Sequence, residues 1–267
     1  MTLVEHLGEL RSRLFKSCVA VVITSVGAFA VHERILLFLT KPYCKLPEAH
    51  RLTGGHDCSL IVTGVLEGFQ VSLKVSLYAG ILVAAPIWLY QLWRFITPGL
   101  LSNERKYALT FVGASTALFA GGVAMAYLML GYGLEFLLGF ASGNLTPALK
   151  IDSYLSFMTT FAMAFGLAFE FPLTLVLLNL AGVLSYARMR SWWRGIVFGI
   201  FAFSAVATPT GDPFTMSGMA LPMCLLFGVA LLIARSHDAR KARQEAEAPY
   251  ANVPDDEATP LEMEPSQ

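Results

Sequence analysis

Charge is scarce in this chain. Asp, Glu, Lys and Arg make up 14% of 267 residues, against 55% hydrophobic residues and a mean hydropathy of +0.60. Soluble domains carry about 25% charged residues, so an ordinary soluble domain is excluded and an integral membrane protein is indicated. The formal net charge of +0 says nothing about partners, and no nucleic-acid partner is expected. Cysteine is limited to 4 residues without zinc-ligand spacing, so neither a metal site nor a cofactor is expected. His6, His32, His50, His56 and His237 all avoid the centres of the apolar runs, no His-Glu-x-x-His occurs, and Asp212 lacks a second intramembrane Asp. These absences argue against an intramembrane protease. There is no phosphate-binding loop, so any energy must come from outside the chain, and no enzyme is expected. A cleavable signal peptide is not expected either, because charged residues fill the first positions and the first apolar run lacks an Ala-x-Ala exit.

What is present is a series of apolar runs. Six candidate spans lie roughly at Leu14 to Val31, Val71 to Trp93, Tyr107 to Leu130, Tyr154 to Val183, Gly195 to Ala207 and Phe214 to Ala234. The expected fold is all-α, a polytopic membrane protein with six transmembrane helices. It divides into an amphipathic N-terminal helix (1–13), a six-span domain (14–234) and a tail (235–267). From Gly195 to Thr208 the fifth run offers about 14 residues, or roughly 21 Å, against a hydrocarbon core of about 30 Å. It must thin the bilayer or stop short of one face; a re-entrant hairpin is the rival reading. Pro86, Pro172 and Pro222 are expected to bend their helices, which suits a concave assembly. Arg and Lys cluster at Arg11, Arg13, Lys16, then Arg94, Arg105, Lys106, then Arg188, Arg190, Arg194, then Arg235, Arg240, Lys241, Arg243. That pattern places both termini in the cytoplasm, although Arg34, Lys41, Lys45 and Arg51 form an unusually basic opposite loop.

Several residues carry chemistry. Glu170 is a lone carboxylate in the otherwise uncharged run from Tyr154 to Val183, and an acid at a helix centre costs about 2.5 to 3.5 kcal/mol on insertion. It is either a functional site or an acid satisfied by a neighbouring helix. Near the N-terminus, Leu3, Leu7, Leu10 and Leu14 recur at helical spacing, with Glu5, His6, Glu9, Arg11 and Arg13 opposite. Taken alone, Glu9 and Arg13 read as a solvated i,i+4 pair. Pro98-Gly99 forces a turn, and Glu104 sits where a helix macrodipole favours an acid. Cys44 and Cys58 share the first outer loop, where an oxidising compartment allows a bridge; Cys18 and Cys224 fall within spans. The tail alternates acids with prolines and is expected to be a disordered cytoplasmic extension, its basic start anchored on lipid headgroups.

Three motifs in order, His6-Leu7-x-Glu9-Leu10-Arg11-x-Arg13-Leu14, Phe95-x-x-Pro98-Gly99-Leu100 with Glu104-Arg105-Lys106, and Phe165-Gly166-x-x-Phe169-Glu170-x-Pro172, resemble the TatC family, the multispanning subunit of the twin-arginine translocase. The likeness extends to Pro42, Ala85-Pro86, Tyr90-Gln91-x-Trp93, Thr208-Pro209, Asp212 and Pro222. It implies a receptor for signal peptides with paired arginines, exporting folded proteins across the inner membrane of a prokaryote on the proton-motive force. Glu9 and Glu104 match the signal-binding acids, with Arg11, Phe95 and Arg105 in support. Two guanidiniums suit carboxylates in fork geometry, which lysine cannot reproduce. The resemblance makes Glu170 the intramembrane glutamate of the concave face. It makes Thr208, Pro209, Asp212 and Met216 a docking surface for single-span subunits of the TatA and TatB type, within a larger complex containing further copies of the chain. Met216 and Gly228 depart from the more polar residues often found there. The alternative, a proton-coupled secondary transporter using Glu170, lacks inverted repeats and a second acid at depth.

Overall fold

The computed structural model describes residues 3–45, 60–96, 105–139, 149–209 and 211–247. Among them the chain runs α1 (Leu3–Phe29), α2 (His32–Cys44), α3 (Glu67–Val83), α4 (Ala85–Ile96), α5 (Arg105–Gly139), α6 (Ile151–Leu180), α7 (Tyr186–Ser191), α8 (Trp193–Ala207) and α9 (Pro213–Ala246). Helices α1, α5, α6 and α9 are long and apolar enough to cross a membrane, α3 and α4 qualify together as a bent pair, and α8 is a shorter apolar helix. At 15 residues α8 reaches only about 22 Å, so the fifth run is as short as its sequence implies.

The second run is not one helix. It breaks at Ala84 and turns by 57° between α3 and α4. Pro86 is the cause: it has no N–H to give and its ring crowds the preceding turn, but it is well placed in the first turn of a new helix. The break orphans the Ile81 carbonyl, and the Trp88 indole N–H donates to it at 3.0 Å. By contrast α6 and α9 continue through Pro172 and Pro222 as single helices. Helix α1 runs unbroken from Leu3 to Phe29, and α9 from Pro213 to Ala246. Residues 248–267 of the tail lie outside the described residues.

Helix α6 is the axis of the fold, with buried side chains along its whole length from Ile151 to Asn179. Its crossing with α5 is close enough to forbid side chains: a Cβ on Gly122 would lie 2.5 Å from the Phe165 carbonyl oxygen. One on Gly166 would lie 2.7 Å from the Phe119 ring. Tyr154, Phe161 and Phe165 fill the centre beside Leu130, Met219 and Phe227. Large apolar side chains such as Ile23, Val26, Phe198, Val206 and Leu225 remain exposed, as a lipid-facing surface requires.

One end of the bundle carries a polar cap, where the basic stretch after the first span is helical and not a loop. There α2 is held by Tyr127 and Tyr154, whose hydroxyls donate to the carbonyls of Phe38 at 3.0 Å and Leu39 at 2.6 Å. Pro42, four residues after Phe38, has no N–H for that carbonyl, so the Tyr127 hydroxyl takes the vacated position. A parallel bridge joins Ile61 to Lys150, and Lys74 forms an ion pair with Asp152. Cys44 is disulfide-bonded, while Cys18 and Cys224 are free. The expected partner of Cys44, Cys58, lies outside the described residues.

Candidate functional site

At the end opposite the polar cap, the first turns of α1 meet the last turns of α4. The His6 and Phe95 rings stack with centroids 4.5 Å apart and planes 17° from parallel. Glu9, one turn further along, has one carboxylate oxygen gripped by Arg13, whose Nε donates at 3.0 Å and whose Nη2 donates to the same Oε1. Arg13 reaches across with Nη1 to the Gln91 side-chain oxygen of α4 at 3.4 Å. The i,i+4 pair is therefore more than a solvated pair: its guanidinium cross-links two helices and leaves Oε2 without a bond to any described residue. Arg94 beside them donates to the Tyr90 hydroxyl at 2.8 Å. Arg11 is exposed on the same helix, and Arg105 opens α5. Glu104, with Pro98 and Gly99, lies outside the described residues.

Glu170 is buried, 7% exposed, and tied to two other helices. The Trp93 indole N–H of α4 donates to the Ser115 hydroxyl of α5 at 2.9 Å, and that hydroxyl donates to Glu170 Oε2 at 2.8 Å. Glu170 Oε1 is buried without a hydrogen-bond partner among the described residues. The residue borders a cleft of about 510 Å³ lined also by Thr174, Ile196, Gly199, Phe203 and Met223, where α6, α8 and α9 approach one another. One oxygen of this carboxyl is thus satisfied by Ser115, and the other has no hydrogen-bond partner among the described residues. Ser115 was not singled out from sequence, since a hydroxyl in an apolar helix ordinarily bonds the carbonyl one turn back and leaves no distinctive pattern.

The turn between α8 and α9 places its polar residues inward. Thr208 is 3% exposed and donates to the Ser204 carbonyl at 2.8 Å. Asp212 is fully buried and caps α9, accepting from the Thr215 N–H at 2.7 Å and from the Thr215 hydroxyl. Pro209 is exposed and Met216 half-buried. Thr208 and Asp212 therefore build the hairpin, while Phe203, Val206 and Phe214 supply its exposed surface. Among the described residues no group of three His, Cys, Asp or Glu side chains is arranged to hold a metal.

Residues 5–222 match the family model described as Sec-independent protein translocase protein (TatC). The chain is 46% identical over 268 residues to the Sec-independent protein translocase protein TatC of Frankia casuarinae, covering 99% of this chain and 74% of that one. It is 35% identical over 239 residues to the TatC protein of Aquifex aeolicus, covering 88% and 95% of the two chains. A crystal structure of the twin-arginine translocase receptor TatC superposes with a TM-score of 0.67 at 34% identity, covering 87% of this chain and 99% of that one.

Proposed function

The chain belongs to the TatC family of Sec-independent protein translocase proteins, and from that premise we propose that Glu9 and Glu104 receive the paired arginines of a signal peptide. It is a multipass inner-membrane protein that works with other Tat subunits in protein translocation; it is not an enzyme. The observation that carries the proposed site is the stacking of His6 on Phe95, which holds the Glu9 helix against the end of α4, eight residues before Glu104 in the sequence. Glu9 has Arg13 on one oxygen and the other open, so an incoming guanidinium would add to a carboxylate already held in place. Phe95 supplies an aromatic wall, with Arg11 and Arg105 in support. In this reading the N- and C-termini face the cytoplasm, six spans cross the membrane, and the proton-motive force drives transport.

Glu170 borders the α6, α8 and α9 cleft, and its buried Oε1, without a hydrogen-bond partner among the described residues, is an acceptor for water or for a polar group of a single-span subunit of the TatA or TatB type. That subunit would dock on the α8–α9 hairpin around Pro209 and Met216, with Thr208 and Asp212 holding the turn in shape. A further copy of the chain within the complex completes the partners. The test of the signal site is binding of a peptide with an Arg-Arg pair to the protein in lipid nanodiscs. Glu9→Gln and Glu104→Gln are each expected to weaken it by roughly tenfold or more, with little effect on a Lys-Lys peptide that binds poorly from the start. Unchanged affinity in both variants would remove the site.

A further inference from the structure

Where α6 ends against α9, the surface changes character within a few turns. Val229, Leu232, Ile233, Ser236, His237 and Arg240 recur on α9 at helical spacing and, with Leu180 of α6, line a groove of about 620 Å³. It is apolar at one end and cationic at the other. A second pocket of about 510 Å³ shares Leu180 and His237 with the groove and is lined further by Asn179, Ser185, Asp238 and Lys241.

The wall between them is built rigidly. Gly182, at φ +75°, closes α6 with its N–H on the Asn179 carbonyl at 2.9 Å, and Val183 N–H returns to the Leu178 carbonyl at 3.0 Å. The Asn179 side chain donates to the Leu184 carbonyl at 2.8 Å and to Asp238 Oδ1 at 2.9 Å. Asp238 Oδ2 accepts from the Tyr186 N–H at 2.8 Å, at the start of α7. Asp238, the one acid among the residues lining the pocket, is therefore engaged by the protein itself. Asn179 is 2% exposed and its side-chain oxygen is buried without a partner among the described residues. Arg240 makes no ion pair or hydrogen bond to a described residue, and Arg235 and Arg243 stand exposed on the same helix.

We propose that this end of the molecule binds an anionic phospholipid, with its phosphate on Arg240 and one acyl chain along Leu180, Val229, Leu232 and Ile233. The order of groups along α9 matches the order of groups in a lipid entering the groove from the membrane, apolar first and then phosphate. A soluble anion would have no use for the apolar half. Clusters of Lys and Arg at a membrane surface contribute about 1 kcal/mol each toward anionic lipid. The wall fixed by Asn179 and Asp238 turns that diffuse attraction into a site with a shape.

The experiment uses the full chain in phosphatidylcholine nanodiscs with a trace of phosphatidylglycerol carrying a diazirine on its acyl chain, followed by peptide mapping of the crosslink. Label is expected in Val229 to Ile233, displaced by unlabelled phosphatidylglycerol roughly tenfold more effectively than by added phosphatidylcholine, and not by soluble glycerol phosphate. In the Arg240→Gln variant the preference is expected to fall severalfold while labelling of the rest of the protein stays constant. Equal displacement by both lipids, displacement by glycerol phosphate, absence of label from this stretch, or a preference intact in the Arg240→Gln variant would each overturn the proposal. The wild-type competition decides the matter alone if the variant is poorly folded.

Discussion

Ser115 stands between an indole and a carboxyl, so its removal affects two buried groups at once. Ser115→Ala removes the hydroxyl that accepts from the Trp93 N–H and donates to Glu170 Oε2. A lost buried hydrogen bond costs about 0.5 to 1.5 kcal/mol, so the variant is expected to unfold at lower temperature in detergent, and Ser115→Thr to recover much of the loss. An unshifted transition for the alanine variant would show that water replaces the hydroxyl. Arg13 acts on Glu9 in a comparable way. Arg13→Ala frees Oε1 and cuts the tie to Gln91, so the Arg-Arg peptide is expected to bind more weakly by severalfold although no contact to the peptide itself is removed. Tighter binding would instead identify Arg13 as a competitor for the carboxylate. The importance of Glu170 was legible in sequence because an acid in an apolar run is rare. Its hydrogen-bonding partners were not, because neither the Trp93 nor the Ser115 side chain announces, across 22 positions of sequence, which neighbour it will meet. Likewise Lys74 and Asp152 were passed over as individual charges near span ends, and only folding pairs them.

Helices were readable wherever hydrophobic length alone decides the matter. The long runs of α1, α5, α6 and α9 are helices in the structure, and the short fifth run is a short helix. Breaks and polar elements were harder. Pro86 sits in the first turn of a new helix, where its missing N–H is no loss, whereas Pro222 lies inside the continuous α9. Helix α2 escaped notice because its 13 residues include His32, Glu33, Arg34, Lys41 and Pro42, which read as a charged loop. Its stability depends on tyrosines of α5 and α6 rather than on its own propensity. This dependence is testable by a double-mutant cycle. Tyr127→Phe is expected to cost about 1 kcal/mol in the wild type. In a Pro42→Ala background it should cost less, because residue 42 then offers its own N–H to the Phe38 carbonyl. Equal costs in both backgrounds would mean that the hydroxyl acts elsewhere.

At the scale of the molecule, two polar sites are held apart by one packed body. Glu9 sits where α1 meets α4, while Glu170 lies inside where α4, α5 and α6 share a hydrogen-bonded chain. Trp93 and Gln91 belong to the same short helix, so α4 touches both sites. Glu170→Ala is accordingly expected to leave Arg-Arg peptide affinity within about twofold of wild type while transport into inverted membrane vesicles falls at least roughly tenfold. Unimpaired transport would reduce Glu170 to a structural acid. The receptor site is the central claim, and its most direct test is photo-crosslinking in membranes with the probe at Ile96, an exposed neighbour of Phe95 that leaves the stacked ring in place. A signal peptide with Arg-Arg is expected to crosslink there and its Lys-Lys counterpart to crosslink far less, the difference disappearing when Glu9 and Glu104 are both replaced by Gln. Equal labelling by the two peptides, or labelling indifferent to the two replacements, would contradict the assignment of this corner of the molecule as the place where paired arginines are read.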